Sequence, residues 1–242
     1  MSEKPPQYTL PATLKELQAS NPFGRNFWET YDDSNHYDIK LKYKFLVKYL
    51  EESGIEVGPV IFDIGAGELP LSQYAISEEN AQRTVFAVDF LKPFEEMSHH
   101  IDADVNALLY PKSTAYKRGL IKIASMLGID PREADKKQVD VIVFSDILNY
   151  VPYREVITAC VQFLKKDGII VIFNQPGRTF ADFQGNLPSY GVQNNDELAA
   201  FLSEPHLGLT FLHSSLDTFK DYPDEDAEHA KLVPVFFVLQ KK

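Results

Sequence analysis

Residues 60–71 read VIFDIGAGELPL, a β-branched and aromatic run with an acid at Asp63, then Gly65, Ala66 and Gly67 ahead of Glu68, Leu69 and Pro70. An apolar run closed by two glycines reads as a buried strand (59–64) that turns tightly into a helix (69–76). Where strands and helices alternate, the first such turn lies beyond the carboxyl end of the sheet, the place where ligands bind. Glycine tolerates positive φ there and leaves no Cβ in the way of a ligand. A dinucleotide turn needs a third glycine three residues after the second, and position 70 is proline. Glu68 also brings a negative charge to the helix start, where a pyrophosphate would need a clean anion site.

The rest of the chain repeats the alternation. Residues 84–88 (TVFAV), 139–144 (VDVIVF) and 168–173 (GIIVIF) read as buried strands, and 100–104 as a short polar one. Amphipathic helices are expected over 38–53, 112–127 and 152–166, with a short one at 195–202. A strand at 209–213 and a nearly all-apolar one at 232–239 imply a closing hairpin. Right-handed crossovers then build a mostly parallel sheet covered on both faces. Residues 1–37, with Phe27, Trp28, Tyr31 and Tyr37, form an N-terminal cap ahead of a core at 38–242, and the whole 1–242 is read as one domain.

Composition narrows the partners. The chain has 242 residues, 44% of them hydrophobic, and a formal net charge of -11, which disfavours nucleic acid and anionic membranes. Residues 110–138 are the exception, with seven Lys/Arg against three Asp/Glu, and are read as a helical insertion whose solvated face carries the charge. There is no signal-peptide pattern or membrane-length apolar stretch, so a soluble, cytoplasmic protein is expected, as a monomer or homodimer. The one cysteine, Cys160, falls on the apolar side of a helix and reads as core. The six histidines show no metal-ligand spacing, and no metal is expected.

Acids at successive strand ends point to a ligand class. Asp63 ends the first strand and can accept from an ammonium group; Asp89 ends the second, where an acceptor takes both ribose hydroxyls; Phe90 beside it offers a flat face to a purine. Asp104 and Val105 stand where a carboxylate and a backbone N–H meet an exocyclic amine and a ring nitrogen. Plainer roles exist: Asp89 as a helix cap, Asp104 as a turn residue, Phe90 as core, and Asp146 as an N-cap.

The ordered segments VIFDIGAG, TVFAVDF, ADVNALLYP, VDVIVFSDILNYVP and KKDGIIVIFN resemble those of the class I S-adenosylmethionine-dependent methyltransferases, over residues 58–175. The resemblance implies a Rossmann-like, seven-stranded, mostly parallel α/β sheet with helices on both faces and a C-terminal antiparallel hairpin strand. It implies S-adenosylmethionine as cofactor and methyl transfer to an O or N nucleophile of a small-molecule acceptor. Ser145 then lies near the sulfonium, Asn149 and Tyr150 face the acceptor, and Trp28 and Tyr31 of the cap supply aromatic walls. No catalytic residue stands out; His36 is the best candidate base. The NQPG stretch at 174–177 follows the fifth strand rather than the fourth, so it is not the amino-group-methylating motif that it superficially matches. A nicotinamide-dependent oxidoreductase and a non-catalytic member of the fold are the alternatives.

Overall fold

The computed structural model describes residues 8–23, 48–50, 52–56, 58–67, 84–89, 100–134, 139–174, 188–193, 195–215 and 235–242. Seven strands form one sheet: β1 (Val60–Ile64), β2 (Thr84–Asp89), β3 (His100–Asp102), β4 (Val139–Ser145), β5 (Leu164–Asn174), β6 (Leu209–Ser215) and β7 (Val235–Lys241). Their order is β3-β2-β1-β4-β5-β7-β6. β1 pairs in parallel with β2 and β4, as do β2 with β3 and β4 with β5, while β7 runs antiparallel to both β5 and β6. From β1 the chain steps outward to β2 and β3, then crosses back from β3 to β4 on the other side of β1. This opens a crevice above the carboxyl ends of β1 and β4.

Strand periodicity sorts the core into two layers. Phe62, Ile64, Phe86, Val88, Ile142, Phe144, Ile170 and Ile172 face one side, where α2 (Thr114–Leu127), α3 (Tyr153–Phe163) and α4 (Asn195–Leu202) cover them. Ile61, Val85, Val141, Val143, Val171, Phe173, Phe236 and Val238 face the other, against Tyr49, Leu50 and Ile55. Tyr49 and Leu50 are helical and belong to the helix expected at 38–53; most of its other residues, and the helix expected at 69–76, lie outside the described residues.

α2 is the crossover between β3 and β4. Ser113 caps its N-terminus by accepting from the Tyr116 N–H, and Gly128, at φ 67, closes its end. Ile123 and Ala124 face the core, while Lys117, Arg118 and Lys122 lie outward.

Several boundaries differ from the sequence reading. β3 stops at Asp102 because Asp104 turns the chain into a 3-10 helix, Val105–Leu109, accepting from the Asn106 N–H. The helix expected to reach residue 166 ends at Phe163, and β5 starts at once: Leu164 pairs with Val139 before the register jumps to Val141 with Ile169. The polar stretch Lys165–Gly168, which resembles a turn, is therefore a bulge inside the strand. It is held by Lys165 Nζ on Asp140 Oδ1 at 2.9 Å and carries Asp167 at φ 63. The hairpin strands run on to Ser215 and Lys241, beyond the ends expected at 213 and 239.

At the N-terminus, α1 (Leu14–Ser20) begins with a capping box between Thr13 and Glu16 and buries Leu17 completely.

Candidate functional site

Among the described residues, six polar side chains are buried: Asp63, Asp89, Asn106, Asn149, Asn174 and Asn195. All six lie at the carboxyl ends of strands or in the segments that follow them. Burying a polar group costs free energy unless it is bonded, so this concentration along one edge of the sheet makes the crevice the candidate site.

The glycine turn forms its base. Gly65 donates its N–H to Val88 O at 2.9 Å, and Gly67 donates to Asp89 Oδ2 at 2.9 Å. Both glycines have positive φ, 70 and 61, but their surroundings differ. A Cβ on Gly65 would overlap the Ile147 side chain, whereas one on Gly67 meets nothing within 4 Å among the described residues. The close approach expected at Gly65 is thus made by Ile147 of the chain itself. Ala66 between them is buried, and Asp63 beneath is fully so.

Asp104 has both carboxylate oxygens engaged. Oδ1 accepts from the Asn106 N–H at 2.8 Å, and Oδ2 from Gln18 Nε2 of α1 at 2.9 Å. Val105 is buried at the start of the 3-10 helix.

Beyond β4, Ser145 pairs in register with Phe173. Asp146 follows at φ 56 and donates its N–H to Phe173 O at 2.9 Å, so it ends the strand in the left-handed region. Asn149 and Tyr150 are buried in the following turn, closed by the Tyr150 N–H on Ile147 O at 3.0 Å. Tyr150 is covered from the N-terminal side: Asn21 Nδ2 donates to its carbonyl at 3.3 Å, and the Phe23 ring meets its ring edge-on at 5.2 Å. Residues 188–192 flank the same turn, with the Val192 N–H on Leu148 O at 3.0 Å and Gly191 packed so closely on Asn149 O that no Cβ fits.

Asn174 donates to Asn195 Oδ1 at 3.0 Å and ties the end of β5 to the start of α4. That tie accounts for the asparagine of the NQPG stretch. The Tyr190 ring lies 4.8 Å from Tyr8, and its buried hydroxyl has no hydrogen-bond partner among the described residues; burial holds this phenol far above its ordinary range.

Of the residues singled out from sequence, Asp63, Gly65, Ala66, Gly67, Asp89, Asp104, Val105, Ser145, Asn149 and Tyr150 line or underlie this one edge. Phe90, Trp28, Tyr31 and His36 lie outside the described residues. His213 stands on the edge strand β6 between Tyr49 and Phe236, where burial lowers its pKa. Burial raises that of the enclosed Cys160 thiol. Sequence reading missed Ile147, Gln18 and Tyr190, each of which acts through a partner distant in the chain. Ile147 alone had a local signal, an aliphatic residue directly after the strand-end acid.

No protein-family model matches the chain, and no curated protein matches it in sequence. Solved structures do match in fold. The plantazolicin methyltransferase BpumL, determined with a monoazolic desmethyl-plantazolicin analogue and S-adenosylhomocysteine, aligns with a TM-score of 0.58 at 14% identity over 91% of each chain. The 1,6-didemethyltoxoflavin-N1-methyltransferase of Burkholderia thailandensis, determined with 1,6-didemethyltoxoflavin and S-adenosylhomocysteine, aligns with a TM-score of 0.50 at 15% identity, over 94% of this chain and 86% of its own. The chain spans 57% of the length of the CurJ carbon methyltransferase, at a TM-score of 0.47 and 16% identity. At these identities the likeness is one of fold, and the fold is that of the class I methyltransferases, with the parallel sheet and reversed terminal hairpin expected from sequence.

Proposed function

We propose that this chain is an S-adenosylmethionine-dependent methyltransferase acting on an oxygen or nitrogen nucleophile of a small molecule. The observation that carries the reading is the bond from the Gly67 N–H to Asp89 Oδ2. In a dinucleotide site that N–H belongs to the pyrophosphate; here a carboxylate already holds it, and the buried carboxylate of Asp63 lies below. An edge built from buried acids suits a ligand with cationic groups and hydroxyls, and disfavours a diphosphate. The nicotinamide alternative is weakened on the same ground.

The residues fit the cofactor. On this reading Gly67, with no described atom within 4 Å of an added Cβ, borders the methionyl part, Asp63 serves its ammonium end, Asp89 takes the ribose hydroxyls while bracing the turn, and Asp104 with Val105 meets the adenine edge. Phe90, outside the described residues, is assigned the purine face from its sequence position beside Asp89. When bound, the cofactor supplies an electrophilic methyl on a sulfonium. The protein's part is to align the acceptor in line with that methyl and to exclude water. Ser145, Asn149 and Tyr150 serve the acceptor side, and the aromatic walls are assigned from sequence alone to Trp28 and Tyr31, outside the described residues. No residue is assigned as the base. Structurally similar proteins support the reading, since BpumL and the toxoflavin enzyme are methyltransferases solved with S-adenosylhomocysteine.

The test is transfer of radiolabelled methyl from S-adenosylmethionine into a pool of small-molecule acceptors, with a reduced-nicotinamide fluorescence titration alongside. Label in an acceptor and no nicotinamide binding support the proposal. Cofactor binding without transfer to any acceptor favours a non-catalytic member of the fold, and nicotinamide binding favours the oxidoreductase.

A further inference from the structure

Residues 8–23 lie as a strap across three segments that border the crevice. Tyr110 Oη donates to Pro11 O at 2.9 Å beside the 3-10 helix, Asn21 and Phe23 seat on Tyr150, and Tyr8 packs on Tyr190. The middle of the strap is α1, whose seven residues are too few to hold a helix in water without docking. It is anchored inward by Leu17 and outward by one polar tie, Gln18 Nε2 to Asp104 Oδ2.

That tie occupies the cofactor's place. Asp104 Oδ1 is committed to the Asn106 N–H, so Oδ2 is the oxygen left to face a ligand, and a primary amide N–H already lies on it at 2.9 Å. A side-chain amide and the exocyclic amine of adenine present the same donor, a planar NH2 group. We infer that Gln18 is a self-ligand of the cofactor site. It holds Asp104 until the cofactor arrives, the adenine amine displaces it, and cofactor binding thereby unlatches the strap from the face that covers Tyr150.

The exchange is mechanically easy. The Gln18 side chain is exposed, so its bond carries the modest net worth of an ordinary hydrogen bond, and both partners exchange it for water or a ligand readily. The direction of the coupling is the reverse of a lid that closes on its ligand, since filling the cofactor site loosens the cover over the acceptor side. Linkage then makes the strap a competitor for the cofactor, and any acceptor that displaces the strap tightens cofactor binding.

The inference rests on the cofactor reading above, and the test separates the two. The full chain and Gln18→Ala, a substitution that keeps α1 helical, are titrated by calorimetry with S-adenosylhomocysteine and with S-inosylhomocysteine, which carries a carbonyl in place of the adenine amine. Tryptic cleavage after the exposed Lys15 is followed by mass spectrometry with and without ligand. The latch predicts that Gln18→Ala binds S-adenosylhomocysteine about three- to tenfold more tightly than the unaltered chain, in line with one hydrogen bond no longer competing, and gains nothing toward the inosyl compound. It also predicts that S-adenosylhomocysteine speeds cleavage at Lys15 in the unaltered chain, and that Gln18→Ala is cleaved quickly without ligand. Equal affinity in the two proteins, an equal gain toward the inosyl compound, or ligand protection of Lys15 overturns the latch and leaves the cofactor reading standing. Failure of the unaltered chain to bind S-adenosylhomocysteine overturns both.

Discussion

Gly65 and Gly67 share a left-handed backbone and differ in what surrounds them, and this separates folding from binding at two neighbouring positions. Alanine at Gly65 carries the left-handed cost and also drives a methyl into Ile147. Together these are worth roughly 2–4 kcal/mol, so Gly65→Ala is expected to lower the melting temperature sharply in a thermal scan. Alanine at Gly67 meets no atom of the described residues and carries only the backbone term, about 1–2 kcal/mol. Gly67→Ala is therefore expected to stay folded while its new methyl fills the ligand's space and weakens S-adenosylhomocysteine binding by tenfold or more in calorimetry. Equal loss of stability at the two sites would contradict the assignment of Ile147 as the close neighbour of Gly65. Nothing local in the sequence distinguishes the two glycines, because the difference depends on a residue in the turn after β4.

Among the elements, those with dense apolar runs were readable from sequence: VIFDI, TVFAV, VDVIVF and GIIVIF can only be strands buried on both faces. β3 was readable only in outline, since a three-residue edge strand with polar ends carries little periodicity. The start of β5 was misread because Lys165–Gly168 has turn chemistry, and it becomes a bulge only through the pairing of Leu164 with Val139. The tie between Gln18 and Asp104 spans 86 residues and left no local trace. Two consequences belong at this scale. α2 carries Gly119 in its helical run, where an added methyl would meet nothing within 4 Å among the described residues, beside an apolar cavity of about 40 Å³ that Leu120 and Ile123 also line. Gly119→Ala is expected to stabilise by about 0.5–1 kcal/mol through helix propensity, raising the melting temperature by a few degrees. In the first turn of α3, half-buried Glu155 has its carboxyl pKa raised, first by burial. A raised carboxyl pKa means that the folded state prefers the protonated form, so the stability it contributes is present at low pH and lost as pH rises through the folded value. Glu155→Gln is expected to raise the melting temperature at neutral pH, with the gain fading as pH falls toward the ordinary carboxyl range. A gain of the same size at all pH values would contradict this sign.

Taken whole, the molecule keeps an apolar sheet interior and places its buried polar side chains, among the described residues, along one edge. With a net charge of -11 and carboxylates at the ends of β1 and β2, that edge is ill suited to phosphates and well suited to a ligand that brings positive charge and hydroxyls. The candidate site was legible to the extent that strand ends were legible, because an acid closing a β-branched run is a local pattern. Its cover was not, because the strap, the Tyr150 turn and residues 188–192 meet only in the folded chain. The central claim is tested most directly by calorimetric titration of S-adenosylhomocysteine into the full chain and into Asp89→Ala, with the fold of each checked by circular dichroism. The account predicts saturable binding to the unaltered chain and its loss in a folded Asp89→Ala. No binding to the unaltered chain, or undiminished binding to Asp89→Ala, would contradict it.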